Sequence, residues 1–246
     1  MRRDHEGRVA LVTGAAQGMG AACARRLAAG GAAVAVFDRQ AEPLQELAAE
    51  LDGLACAGDV TRAADVERAV AAALERHGRL DILVNAAGIM LRTRFFELEE
   101  DEFDRVIAVS LKGSFLVSKA VAGPMRDNGF GRIVHFSSTA GRTVSTLGGC
   151  HYTAAKHGVL GLTRALAKEL APHGITVNAV CPGLIDTEMV RGTVTPERIA
   201  AYEESFPVSR LGTPEEVAET VAFLTSEHAG YITGAPIDIN GGGFMG

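Results

Sequence analysis

The chain has 246 residues, a formal net charge of −6, and 47% hydrophobic against 22% charged residues. This length can bury one large core, so we expect residues 1–246 to form a single α/β domain. The negative charge disfavours nucleic-acid phosphates as partners. No apolar run approaches the length of a membrane span, and Arg2-Arg3 lack the apolar segment of a secretion signal.

The four cysteines lie far apart and show no C-x-x-C spacing. This pattern predicts neither a zinc site nor a disulfide framework, and we expect no metal. A reducing cytoplasm is the expected location.

A strand, a glycine turn and a helix are predicted first. Residues 9–12 are apolar and partly β-branched, the turn 13–20 reads T-G-A-A-Q-G-M-G, and residues 21–29 are rich in alanine. Glycines let a backbone approach a pyrophosphate, and a helix N-terminus offers unpaired N–H groups. A second strand, 33–37, ends in Asp38, where a nucleotide-binding βαβ unit places its acid for the ribose hydroxyls. The pattern predicts dinucleotide binding by Gly14, Gln17, Gly18, Met19, Gly20 and Asp38.

Strands and helices alternate along the remainder of the chain. We expect helices near 41–51, 62–77, 100–127, 152–171 and 214–226, and strands near 53–57, 81–85, 131–136, 175–180 and 236–239. Such alternation predicts a doubly wound parallel β-sheet with helices on both faces. The long irregular stretch 184–212 follows a strand end, where ligands of such sheets bind, so we expect it to cover the substrate.

Tyr152 and Lys156 stand four residues apart in a predicted helix, and Ser137-Ser138 precede them. Spacing of four puts the phenol and the ammonium on one helix face. A nearby cation lowers the pKa of a phenol, so Tyr152 is suited to exchange protons with an alcohol or carbonyl oxygen. Taken alone, such a pair is most often two exposed side chains, so it needs the dinucleotide signal as context.

The motifs also occur in a fixed order. The glycine turn is followed by Asn85-Ala86-Ala87-Gly88, then by Ser138, Tyr152 and Lys156, and then by Pro182-Gly183. In this combination the chain resembles the short-chain dehydrogenase/reductase family from about residue 7 to residue 243. The resemblance implies one Rossmann domain, a nicotinamide cofactor and a homotetramer. It implies that Tyr152 is the acid/base, that Lys156 is its partner and holds the nicotinamide ribose, and that Ser138 binds the substrate oxygen.

Further cofactor contacts follow from the same resemblance. It implies that the adenine meets Asp59 and Val60, and that Ile185 and Thr187, after Pro182 and Gly183, contact the nicotinamide carboxamide. Asn85 could be only a turn residue, but it ends a strand facing the site, so we expect Asn85, Ala86 and Gly88 to contact the cofactor. Without the resemblance, Asp59 would be interpreted as a helix cap.

Asp38 decides the expected cofactor. Its charge would repel a 2′-phosphate, which favours NAD over NADP. Gln17 agrees, since the resembling NADP-dependent enzymes often carry a basic residue there. Arg39 argues the other way, because an arginine beside the ribose can hold a phosphate, although it can equally stack on adenine.

One position departs from the family pattern. Val109-Ser110-Leu111 stands where the resembling enzymes usually have Val-Asn-Leu. The family's asparagine lies at a helix irregularity, where its main-chain carbonyl holds a water linked to the active-site lysine. A serine can hydrogen-bond to nearby helix backbone, so we expect Ser110 to preserve the distortion and the catalytic proton relay. The alternative is that Ser110 is merely a tolerated helix residue.

We therefore predict reversible hydride transfer between NAD(H) and a secondary alcohol or ketone. A 3-oxoacyl-[acyl-carrier-protein] reductase is the first alternative, and it would favour NADPH and show basic residues near the pocket. A regulatory nucleotide-binding protein without chemistry is the second, against which the intact Ser138, Tyr152 and Lys156 argue. Helix 152–171 is apolar nearly all round, which predicts burial on both sides and a partner subunit.

Overall fold

The computed structural model describes residues 3–192 and 194–246, so Arg2 lies outside the described residues. The strands are β1 Val9–Thr13, β2 Ala33–Asp38, β3 Leu54–Ala57, β4 Ile82–Asn85, β5 Gly131–Phe136, β6 Ile175–Pro182 and β7 Pro236–Ile239. The α-helices are α1 Gly18–Ala29, α2 Ala41–Glu50, α3 Ala63–His77, α4 Glu100–Ile107, α5 Gly113–Asp127, α6 Cys150–Leu170, α7 Glu188–Arg191, α8 Pro196–Ser205 and α9 Pro214–Thr225.

The strands form one parallel sheet in the order β3-β2-β1-β4-β5-β6-β7. Chain order reverses between β1 and β4, which opens a crevice at the carboxyl ends of these strands. The predicted doubly wound α/β fold is confirmed.

Both faces of the sheet are covered by apolar layers. Alternate residues of β1 point to opposite faces, because side chains of a strand alternate. Ala10 and Val12 join a core with residues of α1, α2 and α9. Val9 and Leu11 join a second core with residues of α3, α5 and α6. A strand buried on both faces explains the continuous apolar run that predicted β1.

The predicted helix 100–127 is interrupted. A π-helical turn, Ala108–Lys112, separates α4 from α5 and contains Ser110. The hydroxyl of Ser114 donates to the carbonyl of Ser110 at 2.8 Å, and a hydroxyl bonded to the preceding turn bends a helix. The irregularity expected at Ser110 is therefore present.

The same stretch corrects an expectation about membranes. Within the described residues, Glu100–Asp127 has the length and the apolar composition to span a bilayer. In its most apolar stretch of 18 residues, 39% is buried inside the protein. The statement that no apolar run approaches this length was wrong. Val117, Val121 and Met125 of α5 lie in the core beneath the sheet, which explains why the stretch is apolar.

Residues 184–212 are less irregular than expected. They contain α7 and α8, and each helix begins after a threonine whose hydroxyl accepts a hydrogen bond from the helix backbone: Thr187 from Val190 N and Thr195 from Arg198 N, both at 3.4 Å. Pro196 at the start of α8 is a further helix-start signal. These local signals were overlooked. Helix α6 also begins two residues earlier than predicted, at Cys150.

Candidate active site

The crevice at the switch point contains a cavity of about 440 Å³. Gly14, which follows β1, has φ +67°, and a Cβ there would lie 2.7 Å from the backbone nitrogen of Ala87. Only glycine lets the turn approach the loop after β4 so closely. Helix α1 then begins with no side-chain hydrogen bond from its N-cap residue Gln17. Free N–H groups beside a glycine turn fit a pyrophosphate.

Most of the predicted cofactor residues line this cavity: Gly14, Gln17, Gly18, Met19, Gly20, Asp38, Arg39, Asp59, Val60, Ala86, Gly88 and Thr187. Sequence reasoning missed Phe37, Gln40, Gly58, Ala87, Ile89, Leu91, Arg105, Val109, Glu188 and Met189. Most of these adjoin a predicted residue in the chain, so a wider window around each motif would have found them. Arg105 and Val109 come from the α4 region, which no strand-end pattern marks.

Asp38, the acid expected to bind the ribose, is held by hydrogen bonds from the backbone. One carboxylate oxygen of Asp38 accepts from Ala16 N at 3.2 Å and the other accepts from Gln40 N at 3.0 Å. The Arg39 side chain is 72% exposed and its guanidinium lies 3.9 Å from the carboxylate of Asp59. Asp38 is therefore fixed at the cavity wall, whereas the side chain of Arg39 is exposed and lies toward another carboxylate.

Asp59 has a local role beside its place in the cavity. Its carboxylate accepts from the backbone N–H and the hydroxyl of Thr61, at 2.9 and 2.8 Å, and so stabilises the turn before α3. The N-cap of α3 is Arg62, so Asp59 is not the cap residue itself. Val60 is buried beside it.

Asn85 is buried at the end of β4. Its carbonyl oxygen accepts from the hydroxyl of Thr13 at 2.8 Å, which joins β4 to β1. Its amide nitrogen has no hydrogen-bond partner among the described residues. A buried amide without a partner is unfavourable, and a ligand that accepts its hydrogen bond would remove that cost.

Pro182, Gly183 and Ile185 lie outside the lining of the cavity, as do Asn85, Tyr152 and Lys156. Pro182 ends β6 and its carbonyl accepts from the Thr139 hydroxyl at 3.1 Å. A Cβ on Gly183 would lie 2.9 Å from Cα of Asn240. Ile185 is buried and forms a parallel bridge with Gly212. In this structure Pro182, Gly183 and Ile185 shape the segment that leads to α7.

The two serines after β5 point to different partners. Ser137 is buried and donates to the carbonyl of Lys156 at 2.9 Å. Ser138 is partly exposed, accepts from Ala140 N at 3.1 Å and hydrogen-bonds with Tyr152. Ser137 therefore anchors helix α6, and Ser138 shares the side of the strand where the phenol lies.

The Tyr152 phenol differs from expectation in its acidity. Burial raises its pKa above the ordinary value, and the hydrogen bond with Ser138 opposes that shift. Lys156 does not produce the expected lowering, since its ammonium lies 5.6 Å from the centre of the Tyr152 ring and donates to the carbonyl of Phe136 at 2.7 Å. Desolvation dominates because it penalises the phenolate directly.

Lys156 is almost fully buried on the same helix face. Burial lowers its pKa to about 8. A Cβ placed on Gly88 would lie 3.4 Å from its Nζ and 3.7 Å from the hydroxyl of Ser110. Gly88, which lines the cavity, thus brings the cofactor crevice, Lys156 and Ser110 to one point. The Ser110 hydroxyl accepts from Ile89 N at 3.5 Å, so the side chain helps to hold the loop after β4.

No group of three or more His, Cys, Asp or Glu among the residues described could hold a metal ion. The described cysteines Cys23, Cys56, Cys150 and Cys181 are all free.

Comparison with known proteins gives a consistent result. The family model described as enoyl-(acyl carrier protein) reductase matches residues 14–243. The short-chain reductase NovJ of Streptomyces niveus is 42% identical, across 95% of this chain and 93% of that protein. The acetoacetyl-CoA reductase of Shinella zoogloeoides is 43% identical, across 97% and 99%. The crystal structure of a 3-oxoacyl-[acyl-carrier protein] reductase from Brucella melitensis has a TM-score of 0.92 at 37% identity and covers 100% of this chain and 94% of that one.

The chain belongs to the short-chain dehydrogenase/reductase family. It is an oxidoreductase that acts on carbonyl or hydroxyl groups with a nicotinamide cofactor. The family and the general reaction predicted from the sequence are confirmed.

Proposed function

We propose that the protein is an NAD(H)-preferring oxidoreductase that interconverts a ketone and a secondary alcohol. The observation that carries the cofactor preference is Asp38, whose carboxylate is fixed by two backbone N–H groups at the cavity wall. A 2′-phosphate there would meet a negative charge. The glycine turn offers Gln17 and no cation to compensate, and Arg39 leans toward Asp59.

The proposed chemistry uses three side chains. The nicotinamide, when bound, supplies or accepts hydride at its C4 atom. In reduction, the carbonyl carbon gains the hydride and the carbonyl oxygen gains the phenol proton of Tyr152. Ser138 donates a hydrogen bond to that oxygen and orients it. Lys156, with a pKa of about 8, can return a proton to Tyr152 near neutral pH.

The direction of the Tyr152 pKa shift favours reduction at neutral pH. Burial raises that pKa, which keeps the phenol protonated. Reduction needs the protonated form, whereas oxidation needs the phenolate. Oxidation is therefore expected to require more alkaline conditions.

A substrate panel tests the proposal. Cyclic, aliphatic and aromatic ketones and alcohols are assayed with NADH or NAD and, in parallel, with NADPH or NADP. We expect kcat/KM to favour the unphosphorylated cofactor by about two orders of magnitude. A higher kcat/KM with NADPH would contradict the cofactor proposal.

Reduction of 3-oxoacyl thioesters is the second candidate. The relatives named as acetoacetyl-CoA and 3-oxoacyl-[acyl-carrier protein] reductases favour it. Arg92 and Arg94 are exposed after β4, and Arg94 lines a second cavity of about 380 Å³. A 3-oxoacyl-CoA compared with the free ketone of the same chain length separates the two candidates, because only a thioester reductase should gain strongly in kcat/KM from the thioester carrier.

We also propose that the protein is a homotetramer in a reducing cytoplasm. Helix α6 buries Val159, Leu160 and Ala167 against the chain itself, while Ala154, Gly161 and Ala165 on its other side are exposed. Phe103 of α4 and Phe115 of α5 are also exposed, at 38% and 42%. These apolar surfaces support contact with a second copy. Light scattering coupled to size exclusion tests the assembly, and a monomer at micromolar concentration would contradict it.

A further inference from the structure

The helix α8, called the lid helix below, is held by polar contacts. None of its residues 196–205, all of which are described, is buried. On one side, the hydroxyl of Tyr202 donates to the hydroxyl oxygen of Thr146 at 2.9 Å. The guanidinium of Arg198 donates to the carbonyl of Thr146 at 3.1 Å and to the Tyr202 hydroxyl oxygen at 3.4 Å. With so little apolar burial, these contacts make up much of what fixes the lid helix.

Thr146 belongs to a tight turn, residues 145–148, just before the catalytic helix α6. The hydroxyl oxygen of Ser145 accepts from the backbone nitrogens of Leu147 and Gly148 at 3.3 and 2.7 Å, which closes the turn. The backbone nitrogen of Ser145 donates to the hydroxyl of Thr153 at 3.1 Å, which ties the turn to α6. The turn is therefore a rigid extension of the helix that carries Tyr152.

The turn also packs on the proposed acid. A Cβ on Gly148 would lie 2.8 Å from Cδ1 of Tyr152, so the backbone of Gly148 lies directly against the phenol ring. A contact this close transmits a small displacement of the turn to the ring, because packed groups have little room to adjust.

We propose that Thr146 and Tyr202 are positioning residues for the proposed reaction. Their hydrogen bond fixes the lid helix to the 145–148 turn, so that closure of the lid helix and alignment of the Tyr152 phenol occur as one event. The proposal rests on the proposed role of Tyr152 as proton carrier. It adds that the orientation of the phenol depends on a residue of the lid helix.

The bond is suited to reversible opening. It joins two neutral hydroxyl groups, and both can bond to water instead when the lid helix moves away. A neutral hydrogen bond of this kind has a small net free energy, so its loss permits substrate entry and product release.

Four single variants test the proposal. Tyr202→Phe keeps the ring and removes the donor, Thr146→Val removes the acceptor, and Thr146→Ser restores it. Ser205→Ala is the matched control, since the partner of its hydroxyl among the described residues is in the lid helix itself, the Tyr202 carbonyl at 2.8 Å. We expect kcat to fall about three- to tenfold for Tyr202→Phe and Thr146→Val, with KM for NADH unchanged. Thr146→Ser and Ser205→Ala should stay within twofold of the wild type.

The double variant Tyr202→Phe/Thr146→Val identifies the pair. If both substitutions remove the same bond, the double variant should be no slower than the slower single variant. If the fold-decreases in kcat of the two single variants multiply in the double variant, the residues act separately and the proposal is overturned.

Limited trypsin cleavage after Arg198 gives a readout that needs no turnover. We expect faster cleavage at Arg198 in Tyr202→Phe and Thr146→Val than in the wild type, Thr146→Ser and Ser205→Ala. Equal cleavage in all five proteins would show that the hydrogen bond between Thr146 and Tyr202 does not hold the lid helix, and would overturn the proposal. This result does not depend on turnover, so it can be told apart from a failure of the proposed function. Faster cleavage with unchanged kcat would overturn the positioning role alone.

Discussion

Two regions of the sheet contribute to the site by different physical means: the cofactor half, around β1 and β2, and the catalytic half, around β5 and α6. Around β1 and β2 the determinants are backbone groups: the Gly14 turn, the free start of α1, and the N–H groups that hold Asp38. Around β5 and α6 they are side chains whose pKa values are shifted by desolvation, Tyr152 and Lys156 among them. The cofactor half depends on close approach of its backbone to the cofactor and on the charge of Asp38. The catalytic half depends on the desolvation of its ionisable side chains.

This difference predicts that nucleotide preference and catalysis can be impaired separately. Changes in the cofactor half should alter which nucleotide binds while chemistry survives, because Asp38 touches no reacting atom. Changes in the catalytic half should alter rate and pH dependence while nucleotide affinity survives, except at Lys156, which the family resemblance implies also holds the nicotinamide ribose. The experiments on Tyr152 and Asp38 measure both properties, so a variant of either residue that changes both would break the distinction.

The largest effect is expected for Tyr152→Phe. The ring still packs against Gly148, but the proton carrier is lost, and general acid/base catalysis contributes roughly 10² to 10⁴ in rate. We expect nearly complete loss of turnover with NADH affinity within a few fold of the wild type. Stopped-flow turnover and NADH fluorescence titration measure the two.

Tyr231→Phe is the matched control, because Tyr231 is fully exposed at the other end of the chain. It should have wild-type activity. If Tyr152→Phe kept more than a tenth of wild-type turnover, Tyr152 would not be the proton carrier.

The next effect concerns the cofactor half alone. Asp38→Ser should reduce the roughly hundredfold preference for NADH by removing the charge that repels a 2′-phosphate. Ketone turnover at saturating NADH should change little. Arg39→Ala is the companion variant, and it should leave the preference in place. A wild-type protein that prefers NADPH and loses this preference in Arg39→Ala would show that Arg39, rather than Asp38, governs the pocket.

A third prediction concerns desolvation in the catalytic half. His135 of β5 is fully buried between the hydroxyls of Ser118 and Thr163, at 2.8 and 3.0 Å. Burial, and then the charge of Lys156, lower its pKa to about 4. The unfolded chain therefore binds more protons than the folded protein between about pH 6.5 and pH 4. The contribution of His135 to the free energy of unfolding is fully present above this pH range and is lost as the pH decreases through it.

Unfolding in urea at a series of pH values measures this loss. His135 should contribute on the order of 2 kcal/mol to it. His135→Asn should flatten the dependence between pH 6.5 and 4, whereas His173→Asn, at an exposed position, should not. The same slope in His135→Asn as in the wild type would mean that other groups cause the loss.

The cofactor half was largely predictable from sequence because its determinants are local. A glycine turn, a strand end and an acid at a set spacing already specify Gly14, Gln17 and Asp38. The alternation of strands and helices predicted the doubly wound parallel sheet. Arg105 and Val109 were missed because a helix residue joins that cavity only through packing of α4.

The catalytic half was less predictable because its properties arise from the whole fold. Spacing placed Lys156 beside Tyr152, but burial reverses the pKa shift expected for the phenol. The contact of Thr146 with Tyr202 joins segments 56 residues apart, and no sequence period marks such a pair. Helices α7 and α8 could have been predicted from their threonine caps.

The smallest effect is expected at Ser110, where the two halves meet through Gly88. The π-helical turn is held by the hydroxyl of Ser114, which donates to the Ser110 carbonyl, so the distortion depends on backbone and on a neighbour. We therefore expect Ser110→Asn to change turnover by less than about tenfold, or ~1.4 kcal/mol.

Ser110→Ala separates a proton relay from a tolerated helix residue. If Ser110 takes part in the relay to Lys156, whose pKa is about 8, the alanine variant should shift the alkaline limb of the pH profile for alcohol oxidation. An unchanged limb would leave Ser110 a structural residue of the loop after β4, where it accepts from Ile89 N. A hundredfold gain in Ser110→Asn, from a trace rate, would instead show that the natural chain is catalytically impaired at this turn. The nucleotide-binding half would then carry its main function, because Asp38 and the glycine turn do not depend on Ser110.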